Sequence, residues 1–422
     1  MKLLKFTALF TVICLLPIVA GGQTTKEEFS NNIKNAGGIY KVYTFEKSPV
    51  TPVPAGYKPF YISHYGRHGS RWLLNEKDYS NPFNTLDAAL KDGKLTPLGK
   101  ALYEKLAIIK EDARGRYGDL SPLGVKEHRQ IAERMFNSFP EVFSTANGRK
   151  CFIYSRSTTV PRCIISMAAN NERLKELNPA IEIKRDAAAR FTYLNNVYGN
   201  TKKDTVAQIS NGFVRDHFDF GRFLGTIFND NKYIKENLPN PTGFVRELYL
   251  IATDLPDMEH LNLSIYDIFT KEDIFILWQA TNLTMYNNCG PSPINGKVAT
   301  DSSKQLLKDI LDCADNAVKN GNISADLRFG HDSYIIPLLA LMDIQGMNVS
   351  ETDATKVFRT WCDFKASPMG ANLQIIFYRN GQKGDVIVKF LHNEKEVSIP
   401  VKSDIAPYYH WKDVERYYRG KL

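Results

Sequence analysis

Three times along this chain a short run of β-branched and aromatic residues stops at a polar turn and gives way to a helical pattern. The first run, Phe60-Tyr61-Ile62, leads into Arg67-His68-Gly69-Ser70-Arg71. The second, Cys151-Phe152-Ile153-Tyr154-Ser155, leads into Arg156 through Arg162 and then a helix near Cys163. The third spans Ala325 to Gly330 and ends in His331-Asp332, ahead of an apolar helix. Strand, polar turn and helix in repeated alternation predict an α/β fold with a mostly parallel central sheet flanked by helices. In such sheets the carboxyl ends of the strands meet at one edge, and ligands bind there. Each of these three strands delivers charged or titratable side chains to that edge.

The stretches between the strands fit this frame. Leu95-Thr96-Pro97-Leu98-Gly99 and Leu120-Ser121-Pro122-Leu123-Gly124 both read as helix starts, with Thr or Ser as N-cap and Pro at the first helical position. Leu98, Leu102, Leu106 and Ile109 form one apolar face, and Leu123, Ile131, Met135 and Phe136 form the other. His128 and Arg129 are expected on a solvated face of the second helix, and residues 72–90 are expected as a loop. From 186 to 291 the texture changes to aromatic-rich helical runs, including Thr205–Phe213, Gly243–Thr253 and Lys271–Tyr286. This segment reads as a helical cap inserted into a core made of 23–185 and 292–422. A helix over 302–320, a hairpin of 373–378 with 386–391, a third strand at 397–401 and a final helix over 408–420 complete the chain.

Met1 to Gly22 carries two lysines and then an apolar run from Leu9 to Ala20, the pattern of a secretory signal peptide. Its removal takes away Lys2 and Lys5, so the net charge falls from +8 to +6. The remaining excess suits an anionic substrate and is not gathered into a basic tail, which argues against a nucleic-acid partner. No later segment is long enough to span a bilayer. A periplasmic or secreted protein is expected. Cys151, Cys163, Cys289, Cys313 and Cys362 follow the signal. Their number is odd and their spacing is not that of a zinc site, so disulfide pairing stays open.

The turn at Arg67–Arg71 concentrates guanidinium groups, which match phosphate or carboxylate oxygens in bidentate fashion. Positive neighbours lower the pKa of a histidine among them, leaving His68 neutral and nucleophilic. Arg162 heads a helix, where the dipole disfavours a cation, and an anion shared with the helix N-terminus would relieve that conflict. Taken singly, His331 reads as a satisfied structural histidine and Asp332 as a helix cap. Together with the two arginine turns they favour a phosphoryl site: positive groups around His68 neutralise oxygen charge, His68 is the candidate nucleophile, and Asp332 is the best candidate to protonate a leaving alcohol.

These motifs, RHGSR at 67–71, Arg162-Cys163-Ile164-Ile165-Ser166 and the late His331-Asp332, resemble those of the histidine acid phosphatase family. This is the second branch of the histidine phosphatases, which includes phytases and multiple inositol polyphosphate phosphatases. The resemblance covers most of the mature chain. It implies an α/β core with a helical cap, and a two-step hydrolysis of phosphomonoesters such as phytate through a phosphohistidine on His68, with no metal or organic cofactor. Two features depart from the pattern. Trp72-Leu73 follow Arg71 where the family often has Pro one residue on, and His331-Asp332-Ser333 stands where the inositol-polyphosphate subgroup often has His-Ala-Glu. The alternatives are a general acid phosphatase for small sugar or nucleotide phosphates, a mutase-like transferase of the first branch, and a phosphoester-binding protein without chemistry.

Overall fold

The computed structural model describes residues 24–194, 202–381 and 384–422. The signal peptide expected at 1–22 lies outside them, as does 195–201 of the expected cap. The sheet comprises β1 (Tyr57–Arg67), β2 (Phe152–Ser157), β3 (Glu182–Ala187), β4 (Ala325–Gly330), β5 (Asn372–Asn380), β6 (Val386–His392), β7 (Lys395–Val397) and β8 (Tyr408–His410). Its order is β3-β2-β4-β1-β5-β6-β7, with β8 also on β6. The strands β3, β2, β4 and β1 run parallel to one another, and the C-terminal strands add antiparallel beyond β1. The α/β class is as expected, with its parallel pairings confined to the half that carries the three polar turns.

Alternation along β1 shows why the sheet is covered on both faces. Tyr61 belongs to one apolar cluster and its neighbour Ile62 to the other. Beneath Ile62 lie Met135 and Met167, from the helices Pro122–Ser138 and Pro161–Leu177. On the Tyr61 side the cluster takes in Leu306 and Leu307 of the helix Lys304–Asn320 and Trp411 of Trp411–Arg419. It continues without a break into Leu248 and Trp278, on the helices Pro241–Asp254 and Lys271–Asn288. Both expected helix starts are capped as read: Thr96 and Ser121 accept from the N–H groups of Gly99 and Gly124.

Three expectations need correction. Residues 76–91 form a helix rather than a loop, begun by an Asn75–Asp78 capping box and burying Tyr79, Leu86 and Ala89 at helical spacing. Pro82 inside it disguised the period. His128 is buried, its ring 5.7 Å from that of Phe329, because the buried face of its helix runs through Glu127 and His128 as well as Ile131 and Ala132. Arg129 lies on the flank of that face and pairs with Glu176. The last helix begins at Trp411, since Tyr408–His410 joins the sheet. Cys151, Cys163 and Cys313 are free thiols.

Buried ion pairs tie the parallel strands together. Arg156 on β2 bonds Asp326 on β4 at 2.7 Å and Asp309 at 3.0 Å, while Arg328 on β4 bonds the other Asp309 oxygen at 2.7 Å. Tyr61 on β1 donates to Asp326 at 2.8 Å. Asp309→Ala removes the carboxylate that two buried guanidiniums share and is expected to cost about 3–5 kcal/mol of unfolding free energy in urea titrations. Glu236→Ala, which breaks the exposed pair with Lys232, should change the same quantity by less than about 1 kcal/mol.

Candidate active site

Register places the three polar turns side by side. Arg67 is level with Gly330 across β1 and β4, and Ser157 with Phe329 across β2 and β4. The chain therefore leaves all three strands at one edge. His68 N–H still bonds Gly330 O at 3.0 Å, and Thr158 N–H bonds Phe329 O at 3.2 Å. His68 and His331 thus become neighbours, with ring centroids 5.6 Å apart and planes near perpendicular. Asp332 opens the helix Asp332–Leu341, and Arg162 is the second residue of Pro161–Leu177. All six residues singled out in the sequence meet at this edge.

His68 is buried, and its Nδ1 lies 2.9 Å from Gly69 O. A carbonyl oxygen has no hydrogen to give, so Nδ1 carries the proton and Nε2 keeps its lone pair. Burial, followed by Arg67, Arg162 and Arg71, holds the imidazole well below its ordinary pKa. That shift favours the neutral ring.

Arg67 is fully buried. One terminal nitrogen bonds Ile39 O at 2.5 Å and Ser367 O at 2.7 Å, and the other lies 3.4 Å from Asp332 Oδ2. Arg71 bonds Trp72 O at 2.8 Å and lies over the Tyr40 ring, 5.1 Å from its centroid. Among the described residues, buried nitrogens of Arg67 (Nε and Nη2), Arg71 (Nε) and Arg162 (Nε) have no hydrogen-bond acceptor. Donors anchored at one end and unsatisfied at the other are what an oxyanion requires. The helix at Pro161 starts without a side-chain cap, so its first N–H groups add to the same field.

His331 is pushed down to about 4 by burial and Arg162, so it too is a neutral donor or acceptor. Its backbone N–H bonds Tyr65 Oη at 3.1 Å, and the Cys163 thiol lies 3.6 Å from Nε2. Burial alone would raise the Asp332 carboxyl. Arg67, His331 and Arg71 outweigh it and hold the group below the usual carboxylate range.

The turn sits on the start of the Pro122–Ser138 helix. Ser121 N–H bonds Ser70 O at 2.8 Å, and Gly69 N–H bonds Ser166 Oγ at 3.2 Å. A Cβ on Gly124 would lie 2.3 Å from Ser70 O, and one on Gly69 would lie 2.6 Å from Gly124 O. Only glycine at both positions allows this approach. Glu127 and Asp257 bind the turn from behind.

Glu127, Asp257, Tyr40 and Ile39 were not anticipated. Glu127 was findable, because it falls four residues after Leu123 and four before Ile131, on the buried stripe. The others had no local signal, since they reach the turn from distant segments.

Compared with solved structures, the chain matches the Bifidobacterium longum multiple inositol polyphosphate phosphatase in complex with phosphate. The TM-score is 0.76 at 19% identity, over 90% of this chain and 96% of that one. The phytase from D. castellii gives 0.65 at 15% identity, over 94% and 86%. Hafnia alvei phytase in complex with tartrate gives 0.53 at 12%, over 88% and 98%. No family model matches the chain, and no curated protein matches it by sequence. The fold is that of the histidine acid phosphatases and phytases.

Gly124→Ala should weaken sulfate binding, measured calorimetrically, by at least about tenfold, because relieving the clash displaces the turn. Gly212→Ala, on a helix where the new Cβ meets nothing closer than 3.7 Å, should leave sulfate binding unchanged and keep or raise the melting temperature.

Proposed function

We propose that this chain is an exported phosphomonoesterase that hydrolyses inositol polyphosphates such as phytate through a phosphohistidine. The observation that carries the reading is the tautomer and setting of His68: a neutral imidazole with Nε2 free, ringed by part-unsatisfied guanidiniums and by Asp332. The fold shared with the inositol polyphosphate phosphatase and the phytases supports it.

In the first step Arg67, Arg71, Arg162 and His331 bind the non-bridging oxygens of one phosphate. His68 Nε2 attacks phosphorus, a P–N bond forms and the bond to the leaving oxygen breaks. Asp332 gives its proton to that oxygen, so the alcohol leaves neutral. In the second step water attacks the phosphohistidine, Asp332 takes a proton from it, and phosphate departs with His68 restored. The negative charge on the transferring group is met by groups already fixed in place, which supplies most of the rate enhancement. We assign the core to 23–185 and 292–422 and the cap to 186–291, with Met1 to Gly22 as the export signal.

A further cavity of about 230 Å³, lined by Lys34, Tyr40, Lys41 and Glu259 among mostly apolar residues, would favour polyphosphates over simple esters. Tyr40 is its wall toward Arg71. Two lysines there would attract phosphates that are not being cleaved.

His68→Ala is expected to abolish phosphate release from phytate and from an aryl phosphate while leaving the melting curve intact; retained turnover would overturn the assignment. Asp332→Asn should lose at least about a hundredfold in kcat on phytate and far less on the aryl phosphate, whose leaving group needs little protonation.

The pH dependence has a definite sign. In the free enzyme Asp332 is lowered and ionised at neutral pH, whereas the acid step needs it protonated. His68, also lowered, stays neutral well into acid. So kcat/KM on phytate should rise as pH falls below neutral and drop only when His68 takes up a proton. A profile measured at constant ionic strength that rises instead toward alkaline pH would remove Asp332 from the acid role.

A further inference from the structure

Ser70, inside the anion turn, poses a hydrogen-counting problem. Its hydroxyl lies 3.0 Å from Glu127 Oε1 and 3.1 Å from Asp257 Oδ1. A hydroxyl has one hydrogen and can donate to only one of these oxygens. Ser70, Glu127 and Asp257 are all buried, at 0%, 3% and 1% exposure. The second oxygen–oxygen contact is attractive only if a carboxyl brings its own hydrogen.

The other bonds choose which carboxyl that is. Glu127 accepts two backbone N–H groups, from Ser70 at 2.7 Å and Tyr43 at 2.8 Å. Asp257 accepts one, from Arg71 at 3.1 Å on Oδ2. Backbone donors favour the ionised form. Glu127 is therefore the carboxylate and Asp257 the acid. With the proton on Asp257 Oδ1, the chain runs Asp257 to Ser70 to Glu127, and every donor has an acceptor.

We propose that Asp257 is a positioning residue that holds the Ser70–Arg71 turn by donating its own proton to Ser70 Oγ, and that losing this proton loosens the turn's grip on a bound oxyanion. This rests on the anion-binding half of the proposed function and not on the hydrolysis.

The groups around Asp257 act in the same direction. Asp254 and Glu127 face it with negative charge, and Arg71 offsets them in part. Tyr266 also faces it, and Tyr79 donates to Asp254 at 3.2 Å; burial raises both phenols, so they stay neutral. Burial raises the Glu127 carboxyl too, but the backbone N–H groups of Ser70 and Tyr43, the Ser70 hydroxyl and Arg67 all oppose that rise. Burial first, then Asp254 and Glu127, push the Asp257 carboxyl well above the ordinary range, while Asp254 is pushed up to about 7 by burial. Rising pH ionises Asp254, and later Asp257. Two carboxylates would then repel across a hydroxyl that can satisfy only one of them.

Sulfate is a suitable probe, because it stays a dianion throughout and His68, His331 and Asp332 titrate in acid. Full-length mature chains are compared by calorimetry, with melting curves to confirm folding. At about pH 6, Asp257→Asn should bind sulfate within about threefold of wild type, since its amide copies the protonated acid. Glu127→Gln should lose at least about tenfold, because its amide would point N–H at an N–H donor. The reverse order, a silent Glu127→Gln with a damaging Asp257→Asn, would place the proton on Glu127 and overturn the proposal. As pH is raised from about 6 to the alkaline limit at which melting curves still show a folded chain, affinity should fall at least about fivefold in Asp254→Asn, where the neighbouring titration is gone, and hold steady in Asp254→Asn/Asp257→Asn. Parallel curves for these two would also overturn it, and this comparison decides the matter if Glu127→Gln fails to fold. A chain that binds sulfate in the expected pattern but hydrolyses no phosphate ester would leave this inference standing and remove the proposed reaction.

Discussion

Three guanidinium groups gathered around one imidazole repel one another, and much of the surrounding structure exists to hold them there. Arg67 is restrained by two backbone carbonyls from segments almost the whole chain apart, Ile39 and Ser367. Arg71 is held through its own N–H by Asp257 and across its face by Tyr40. Behind the turn stand Glu127, Asp254 and Asp257, all buried. Full ionisation of three buried carboxyls would be as costly as the arginine cluster itself. Partial protonation lets the acids hold the turn through hydrogen bonds without cancelling the positive field that faces outward.

The sheet makes this concentration affordable. Parallel strands with matched registers end together, so residues that are hundreds of positions apart arrive at one edge without any further device. The buried Arg156–Asp309–Arg328 pairs lock β2 and β4 to one helix, and Tyr61 adds β1 through Asp326. Site precision is therefore inherited from strand register, which is the most rigid feature the fold offers. The antiparallel strands take part from the other side of β1: Arg67 N–H bonds Ala371 O, and Gly370 N–H bonds His68 O.

Much of this was legible in the sequence, for a physical reason. His68, the three arginines and the His331-Asp332 pair cluster at strand ends, where short polar turns leave the buried strands, so candidate site and punctuation coincide. The caps at Thr96 and Ser121 are local devices and were read correctly. The failures share a cause. His128 and Glu127 lie on an apolar stripe, and a stripe interrupted by polar residues looks like a solvated face until their buried partners are known. Pro82 hid a helix whose apolar spacing was intact. Asp254, Asp257 and Ile39 act on the turn through contacts between remote segments, and nothing in their own neighbourhoods announces it.

The acid motif and the backbone point to different relatives. His331-Asp332 resembles the phytase arrangement, whereas the backbone matches the Bifidobacterium inositol polyphosphate phosphatase at 0.76 and the D. castellii phytase at 0.65. The two observations bear on different parts of the molecule. In the proposed reaction, an acid in the first helical turn after His331 would fix where the leaving oxygen lies relative to the transferred phosphate. The backbone likeness describes how sheet and helices are disposed around that point. The proposed hydrolysis needs the first, and choice of substrate would depend on side chains that line the cleft. Arg71 is shared by both demands: its guanidinium belongs to the candidate anion site, and the Tyr40 ring beneath it borders a mostly apolar cavity that Lys34 and Lys41 help to line. Under the proposed function, a change in how the turn holds Arg71 would alter substrate preference as well as rate, and the buried acids behind the turn would act on selectivity at its front.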